Sequence, residues 1–165
     1  METQKNSANA AEPKPLLIKR TFNLPIDKVW AAWSEPEDFK KWWGPNDFTC
    51  PEAHIDFRVG GKIHACMKNK NDGKETWSTG IYREIVPHKK IVVTDNFADE
   101  EGNVITPAEA GMPGDWGTEP VISLELNKNN DQTEMVLTHS GIPSDMQNDC
   151  IDGWNQCFDK LQKFV

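Results

Sequence analysis

The sequence predicts an α+β fold in which a curved antiparallel sheet of seven strands surrounds one long C-terminal helix, with two short helices after strand one. Three observations predict this fold. Apolar residues recur every three or four positions over 146–165, the spacing of a helix that buries one face. Six segments suited to strands lie between 50 and 140 and are joined mostly by short turns, as in an antiparallel meander. Two shorter segments with helical spacing follow the first strand segment.

Length and charge narrow the class of protein. A chain of 165 residues is expected to form one domain, which we place at 16–165 after a disordered N-terminal tail at 1–15. The 26 acidic against 18 basic residues, a net charge of -8, argue against nucleic acid as a partner. Neither a signal peptide nor an 18-residue apolar run is visible, so we expect a cytoplasmic protein without membrane insertion.

The first 45 residues contain one strand and two helices. Leu16–Leu24 alternates in the period of a strand, and Pro25 ends it. Ile26–Ser34 and Pro36–Trp43 have helical spacing, and Gly44 with Pro45 stops the second of them.

The middle of the chain is predicted to be a series of hairpins with one long interruption. The predicted strands are Cys50–Phe57, Lys62–Asn69, Glu75–Val86, Lys90–Phe97, Glu119–Asn127 and Thr133–Ser140. The interruption, Asp99–Thr118, is too long for an ordinary connection in a compact domain. Because it contains Met112 and Trp116, which gain from burial, we expect a lid that docks on the domain.

The closing helix is predicted over Met146–Val165, with Ser144 and Asp145 as capping residues. Gly153 weakens a helix by about 1 kcal/mol relative to alanine, so it predicts that another part of the molecule approaches the helix backbone closely beside Trp154. The four cysteines lack a Cys-x-x-Cys spacing and are interpreted as small core residues.

Several motifs in this order resemble a known family. They are Arg20–Phe22 before Pro25, Val29-Trp30, Trp42–Pro45, Asp56–Gly61, Gly80–Ile85 and Gly153-Trp154. Together they resemble the domain related to the C-terminal part of the activator of heat-shock-protein-90 ATPase, within the helix-grip (START, Bet v allergen, polyketide cyclase; SRPBCC) superfamily. The resemblance spans about 16–165. It implies a deep, mostly apolar cavity between the long helix and the concave sheet face, and relatives that range from ligand carriers to cyclases and toxin-resistance proteins.

The candidate site is therefore a small-molecule cavity with aromatic walls. Tryptophans on the short helices, in the long loop and on the last helix come from three separate elements and are expected to meet at one mouth. Polar strand residues, Arg20 among them, are expected to supply a few hydrogen-bonding groups. The predicted lining residues are Trp30, Trp42, Trp43, His64, Tyr82, Asp95, Trp116, His139, Trp154 and Phe158.

The preferred interpretation is the binding of a small hydrophobic or aromatic molecule without a cofactor. One alternative is a co-chaperone that binds heat-shock-protein-90, and another is a cyclase or hydrolase that uses Asp95, His139 or Glu84 in acid–base chemistry. His54, Asp56, His64 and Cys66 lie on either side of one hairpin and could meet across it as zinc ligands. No metal-binding motif supports such a site, and we expect no metal.

Overall fold

The computed structural model describes residues 13–112, 114–117 and 119–165. The strands are β1 (Leu16–Phe22), β2 (Phe48–Thr49), β3 (Ala53–Ile55), β4 (Lys62–Asn69), β5 (Glu75–Val86), β6 (Lys90–Thr94), β7 (Asn96–Ala98), β8 (Val121–Asn129) and β9 (Gln132–His139). The helices are α1 (Ile26–Ser34), α2 (Pro36–Phe39) and α3 (Gln147–Phe164), and a 3₁₀ turn, Ser144–Met146, precedes α3. Most of the predicted tail, residues 1–12, lies outside the described residues, as do Pro113 and Thr118 of the predicted lid.

The strands form one curled antiparallel sheet that is seven strands wide, in the order β1-β9-β8-β6-β5-β4-β2. Two short strands continue the ladders beside it, with β3 paired to β4 and β7 paired to β5. The apolar stripe of α3 is buried through Trp154, Cys157, Phe158 and Leu161. The predicted fold class, a curved antiparallel sheet with a long C-terminal helix, is confirmed.

Two predicted strands differ in the structure. Of Cys50–Phe57 only Ala53–Ile55 is a strand, β3, because Pro51 has no N–H to donate to a ladder, and the unpredicted strand β2 (Phe48–Thr49) precedes it. Lys90–Phe97 is split into β6 and β7 at Asp95, whose N–H donates to the Pro120 carbonyl, 2.8 Å away. The split therefore leaves Asp95 in an irregular position beside the sheet.

The start of α3 differs from the prediction. Ser144 belongs to the 3₁₀ turn, and the residue that precedes α3 is Met146, which makes no side-chain capping hydrogen bond. Among the described residues no helix has the length and apolarity needed to cross a membrane.

All four cysteines are free thiols, consistent with their interpretation as small core residues. Cys50, Cys66 and Cys157 are buried, and Cys150 is half-buried. Burial raises the pKa of Cys50 and Cys150 to about 12 and that of Cys66 and Cys157 to about 11. Each thiol is therefore protonated and unreactive at neutral pH.

Candidate functional site

Aromatic side chains fill most of the space between α3 and the sheet. Trp154 stacks on Phe158 with ring centroids 5.4 Å apart, and Phe158 meets Trp42 at 6.0 Å and Phe22 at 5.8 Å. Phe158 and Trp42 have no exposed surface at all. The deep cavity that the resemblance implied between the long helix and the sheet is thus occupied by the protein's own rings.

A small cavity remains beside this cluster, between the α1–α2 pair and the sheet, with a volume of about 30 Å³. Its apolar lining consists of Trp33, Phe39, Trp43, Ile63, Ile91, Val93 and Ile122, and its polar lining of Ser78, Thr79, Tyr82, Thr94 and Asp95. No residue of α3 lines it. The volume has room for one or two water molecules. The cavity is therefore smaller than predicted and is bordered by the short helices instead of the long one.

Three buried hydrogen-bond donors belong to residues that line this cavity. Trp33 Nε1, Trp43 Nε1 and the Tyr82 hydroxyl are shielded from solvent and have no hydrogen-bond partner in the described part of the chain. Two threonines in the same lining are satisfied by backbone: Thr79 donates to the Ile63 carbonyl at 3.0 Å, and Thr94 Oγ1 accepts from Ile81 N at 2.8 Å. A buried donor without a partner costs about 1–3 kcal/mol, so three around one cavity suggest that something else accepts from them.

Tyr82 stays a neutral phenol at this site. It lies on β5, only 2% of its surface is exposed, and its ring packs edge-on against Phe57 at 5.1 Å. Burial raises the pKa of Tyr82 above its ordinary value, with a smaller contribution from the negative charge of Asp56. Its hydroxyl therefore keeps its proton at neutral pH.

Asp95 connects the cavity to α3 through His139. The indole N–H of Trp154 donates to His139 Nδ1 at 3.2 Å, which leaves the ring proton on Nε2. His139 Nε2 lies 3.0 Å from Asp95 Oδ2, but the N–H is not directed at that oxygen, so the contact is close without being an aligned hydrogen bond. His139 is buried behind the cavity, and Asp95 lines it.

The structure brings only Trp43, Tyr82 and Asp95 of the predicted lining residues to the cavity itself. Trp42, His139, Trp154 and Phe158 form the layer packed behind it. Trp30 lies apart, against Phe57 and His88. Arg20, a polar candidate, instead binds Asp159 of α3, 2.5 Å away.

His64 is placed elsewhere, in a surface groove of about 430 Å³ that it shares with His54, Asp56 and Lys62. Its ring stacks on Trp77 at 4.5 Å, and its Nε2 lies 3.2 Å from the Asp99 carbonyl. Within the described ranges no three His, Cys, Asp or Glu side chains are arranged to hold a metal ion.

The predicted lid is folded against the domain. Trp116 packs edge-on against Phe97 at 5.2 Å, and the Gly117 N–H donates to the Gly141 carbonyl. None of the described residues between 99 and 117 lines the cavity. Its action as a lid stays a prediction.

Sequence reasoning missed Trp33, which lines the cavity and carries one of the unpartnered donors. Its helical spacing with Val29 indicates a core residue. The available signal was its indole N–H, because a polar atom on a core residue needs a hydrogen-bond partner. Ser78, Thr79 and Thr94 gave no such signal, because the face of the sheet on which each side chain lies depends on strand register.

Comparison with solved structures places the fold among bacterial proteins. The crystal structure of a protein from Chromobacterium violaceum has a TM-score of 0.77 and 26% sequence identity, covering 93% of this chain and 97% of that chain. A crystal structure of an AHSA1 protein from Silicibacter pomeroyi has a TM-score of 0.71 at 20% identity, covering 91% and 96%. A solution structure of an AHSA1-like protein from Aeromonas hydrophila has a TM-score of 0.63 at 16% identity, covering 91% and 92%.

No curated protein matches the chain significantly. The family model described as "Activator of Hsp90 ATPase homolog 1-like protein" matches residues 23–165, which include every helix and all strands except β1. The motifs quoted from the sequence lie almost entirely within this range, and the curled sheet with its C-terminal helix is the fold of the structural relatives. The chain belongs to the Activator of Hsp90 ATPase homolog 1-like family, in the helix-grip superfamily.

Proposed function

We propose that the chain binds a small, compact and mainly apolar molecule in the cavity between α1–α2 and the sheet. One observation carries the proposal: a mostly apolar hollow is bordered by three residues whose buried donors have no partner among the described residues. Small-molecule sites usually combine apolar walls with a few placed polar groups. The family's fold, a curled sheet around a helix, supports the same function.

The size of the cavity restricts the mode of binding. Sites for drug-sized ligands measure about 300–1,000 Å³, whereas this cavity measures about 30 Å³. A ligand larger than two water molecules therefore needs a side chain to move. Trp43 is the residue best placed to do so, because it is half-buried while Trp33 and Phe39 are buried.

A titration with toluene tests this function. The seven indole N–H groups give separate signals in a proton–nitrogen correlation spectrum of labelled protein. We expect toluene to shift the signals of Trp33 and Trp43, which line the cavity, and to leave that of Trp77, on the opposite face, in place. Native mass spectrometry of freshly purified protein then asks whether a cellular molecule is retained. An absence of binding by toluene and by every other small apolar probe would overturn the proposal.

Acid–base chemistry is a second candidate, favoured by the contact between Asp95 and His139. His139 Nε2 lies 3.0 Å from the Asp95 carboxylate, which lines the cavity and is positioned to accept a proton from a bound molecule. If a retained molecule is identified, its mass is expected to change on incubation with the protein and to stay constant with Asp95→Asn. An unchanged mass and an unchanged proton spectrum of that molecule with the unmodified protein would exclude the reaction.

Binding to heat-shock-protein-90 is a separate prediction that rests on the family's description. The test is to measure the chaperone's ATPase rate with and without this chain. Equal rates would contradict the prediction.

A further inference from the structure

We propose that the molecule bound in the cavity carries a hydroxyl group, or another single small group that both accepts and donates hydrogen bonds, on an apolar ring. The proposal rests on the function proposed above and adds the polar chemistry of the ligand.

The donors in the cavity wall call for an acceptor on the ligand. Trp33 is 5% exposed and Tyr82 is 2% exposed, so water outside the protein does not reach their polar atoms. An indole N–H donates only, and the Tyr82 phenol donates while it keeps its proton. A hydrocarbon ligand would leave these groups unsatisfied, whereas a ligand oxygen has two lone pairs with which to accept from them.

The carboxylate in the same wall calls for a donor on the ligand. Asp95 lines the cavity, and His139 Nε2, 3.0 Å from its carboxylate, is not aligned to donate to it. A ligand anion would therefore meet a like charge in a site of low dielectric. A neutral hydroxyl satisfies both sides, since its oxygen accepts from the donors and its hydrogen is given to Asp95.

The remaining lining favours a ring as the body of the ligand. Trp33, Phe39 and Trp43 present aromatic surfaces, and the Phe39 and Trp43 rings are already stacked at 4.7 Å. Aromatic pairs gain about 0.5–1.5 kcal/mol beyond area burial. A ring with one hydroxyl is a small ligand that offers both an aromatic surface and a hydrogen-bonding group. Small size is important because the cavity measures about 30 Å³.

Phenol and toluene provide a matched pair of probes, because they have the same number of heavy atoms and differ in the hydroxyl. We expect phenol to bind more tightly, and to move the indole proton signals of Trp33 and Trp43 to lower field than toluene does. In Tyr82→Phe, which removes one donor and keeps the ring, the ratio of phenol affinity to toluene affinity is expected to fall about tenfold, the effect of one hydrogen bond. Trp77→Phe, on the opposite face of the sheet, is the control and is expected to keep the ratio.

The outcomes separate this proposal from the proposed function. Equal binding of phenol and toluene, or a ratio unchanged in Tyr82→Phe, would overturn the hydroxyl proposal and leave binding in the cavity intact. Binding of neither probe would overturn both. The melting temperature of Tyr82→Phe gives an independent check, because loss of an unpartnered buried hydroxyl is expected to leave it equal or higher. A clear fall in melting temperature would show that the hydroxyl is satisfied within the protein and would contradict the proposal.

Discussion

At the scale of single residues, the ionisation of Tyr82 can be followed directly, because Tyr82 is the protein's one tyrosine. Burial raises its pKa in the folded chain above the ordinary value of about 10. A group whose pKa is raised by folding contributes stability that is full below its unfolded pKa and is lost as pH rises through the folded value. We therefore expect stability to fall as pH rises beyond about 10.

The measurement is the ultraviolet absorbance of tyrosinate during an alkaline titration. In the folded protein the signal is expected to appear only together with unfolding, as followed by circular dichroism. In urea, where Tyr82 is exposed, it is expected to titrate near its ordinary value of about 10. Tyrosinate that forms at that pH while the fold is intact would contradict the burial of this hydroxyl.

At the scale of elements, Lys160 ties α3 to the loop that links α2 to β2 and to the first residue of β2. Its ammonium donates to the carbonyls of Gly44, Pro45 and Phe48, each 2.8 Å away, so that its three protons match three acceptors. Lys160→Met leaves these carbonyls without that partner. We expect a loss of about 2 kcal/mol in the free energy of unfolding.

Urea unfolding followed by circular dichroism measures this loss, and Lys163→Met is the matched control. Lys163 lies three residues further along α3 and is exposed, so its replacement is expected to change stability by less than about 0.5 kcal/mol. Equal effects of the two substitutions would show that the three hydrogen bonds do not hold the loop.

Two glycines in regular elements are predicted to respond oppositely to alanine. Pro45 lies against the Gly153 backbone, but a Cβ at Gly153 would still be 3.5 Å from Pro45 Cγ, an ordinary contact, so this approach does not require glycine. A Cβ at Gly80 would lie 1.8 Å from the Thr94 carbonyl oxygen. Gly153→Ala is therefore expected to stabilise the protein by up to about 1 kcal/mol through helix propensity. Gly80→Ala is expected to cost about 2 kcal/mol or more.

Thermal unfolding of both variants checks this pair, since a higher melting temperature for Gly153→Ala and a lower one for Gly80→Ala are expected. A destabilised Gly153→Ala would mean that α3 and the Pro45 loop lie closer than in the structure.

An element could be predicted from the sequence when the interactions that form it are between residues close together in the chain. Ile26–Ser34, Lys62–Asn69 and Glu75–Val86 have the predicted bounds, because their periodicity and their turns are local properties. The separation of β6 from β7 was not predictable, since it depends on a hydrogen bond from Asp95 to Pro120, 25 residues away along the chain. That same irregularity places Asp95 in the cavity wall.

At the scale of the whole molecule, the sequence predicted the layers and not the volume between them. The composition and spacing of the aromatic residues indicated that the space between sheet and helices would be aromatic. Whether rings line a space or fill it depends on side-chain conformations, which periodicity does not determine. Here Trp42, Trp154 and Phe158 fill it, and a cavity of about 30 Å³ remains.

Because the interior is nearly closed, association of a ligand should be limited by movement of the aromatic wall. Trp43→Ala removes the half-buried ring at the edge of the cavity, so we expect toluene to associate about tenfold faster than with the unmodified protein. The substitution is also expected to cost about 2–3 kcal/mol of stability, less than for a fully buried tryptophan. Stopped-flow fluorescence, at a temperature where the variant is folded, measures the rate constant.

Trp30→Ala is the control for this last prediction, because Trp30 is also half-buried but packs on Phe57 and His88, away from the cavity. It should lower stability without raising the association rate, which separates opening of the cavity from general loosening of the fold. If both substitutions accelerate binding equally, the limiting motion is global. If neither does, toluene reaches the cavity by a route that does not pass Trp43, and the wall formed by α1 and α2 is not the gate.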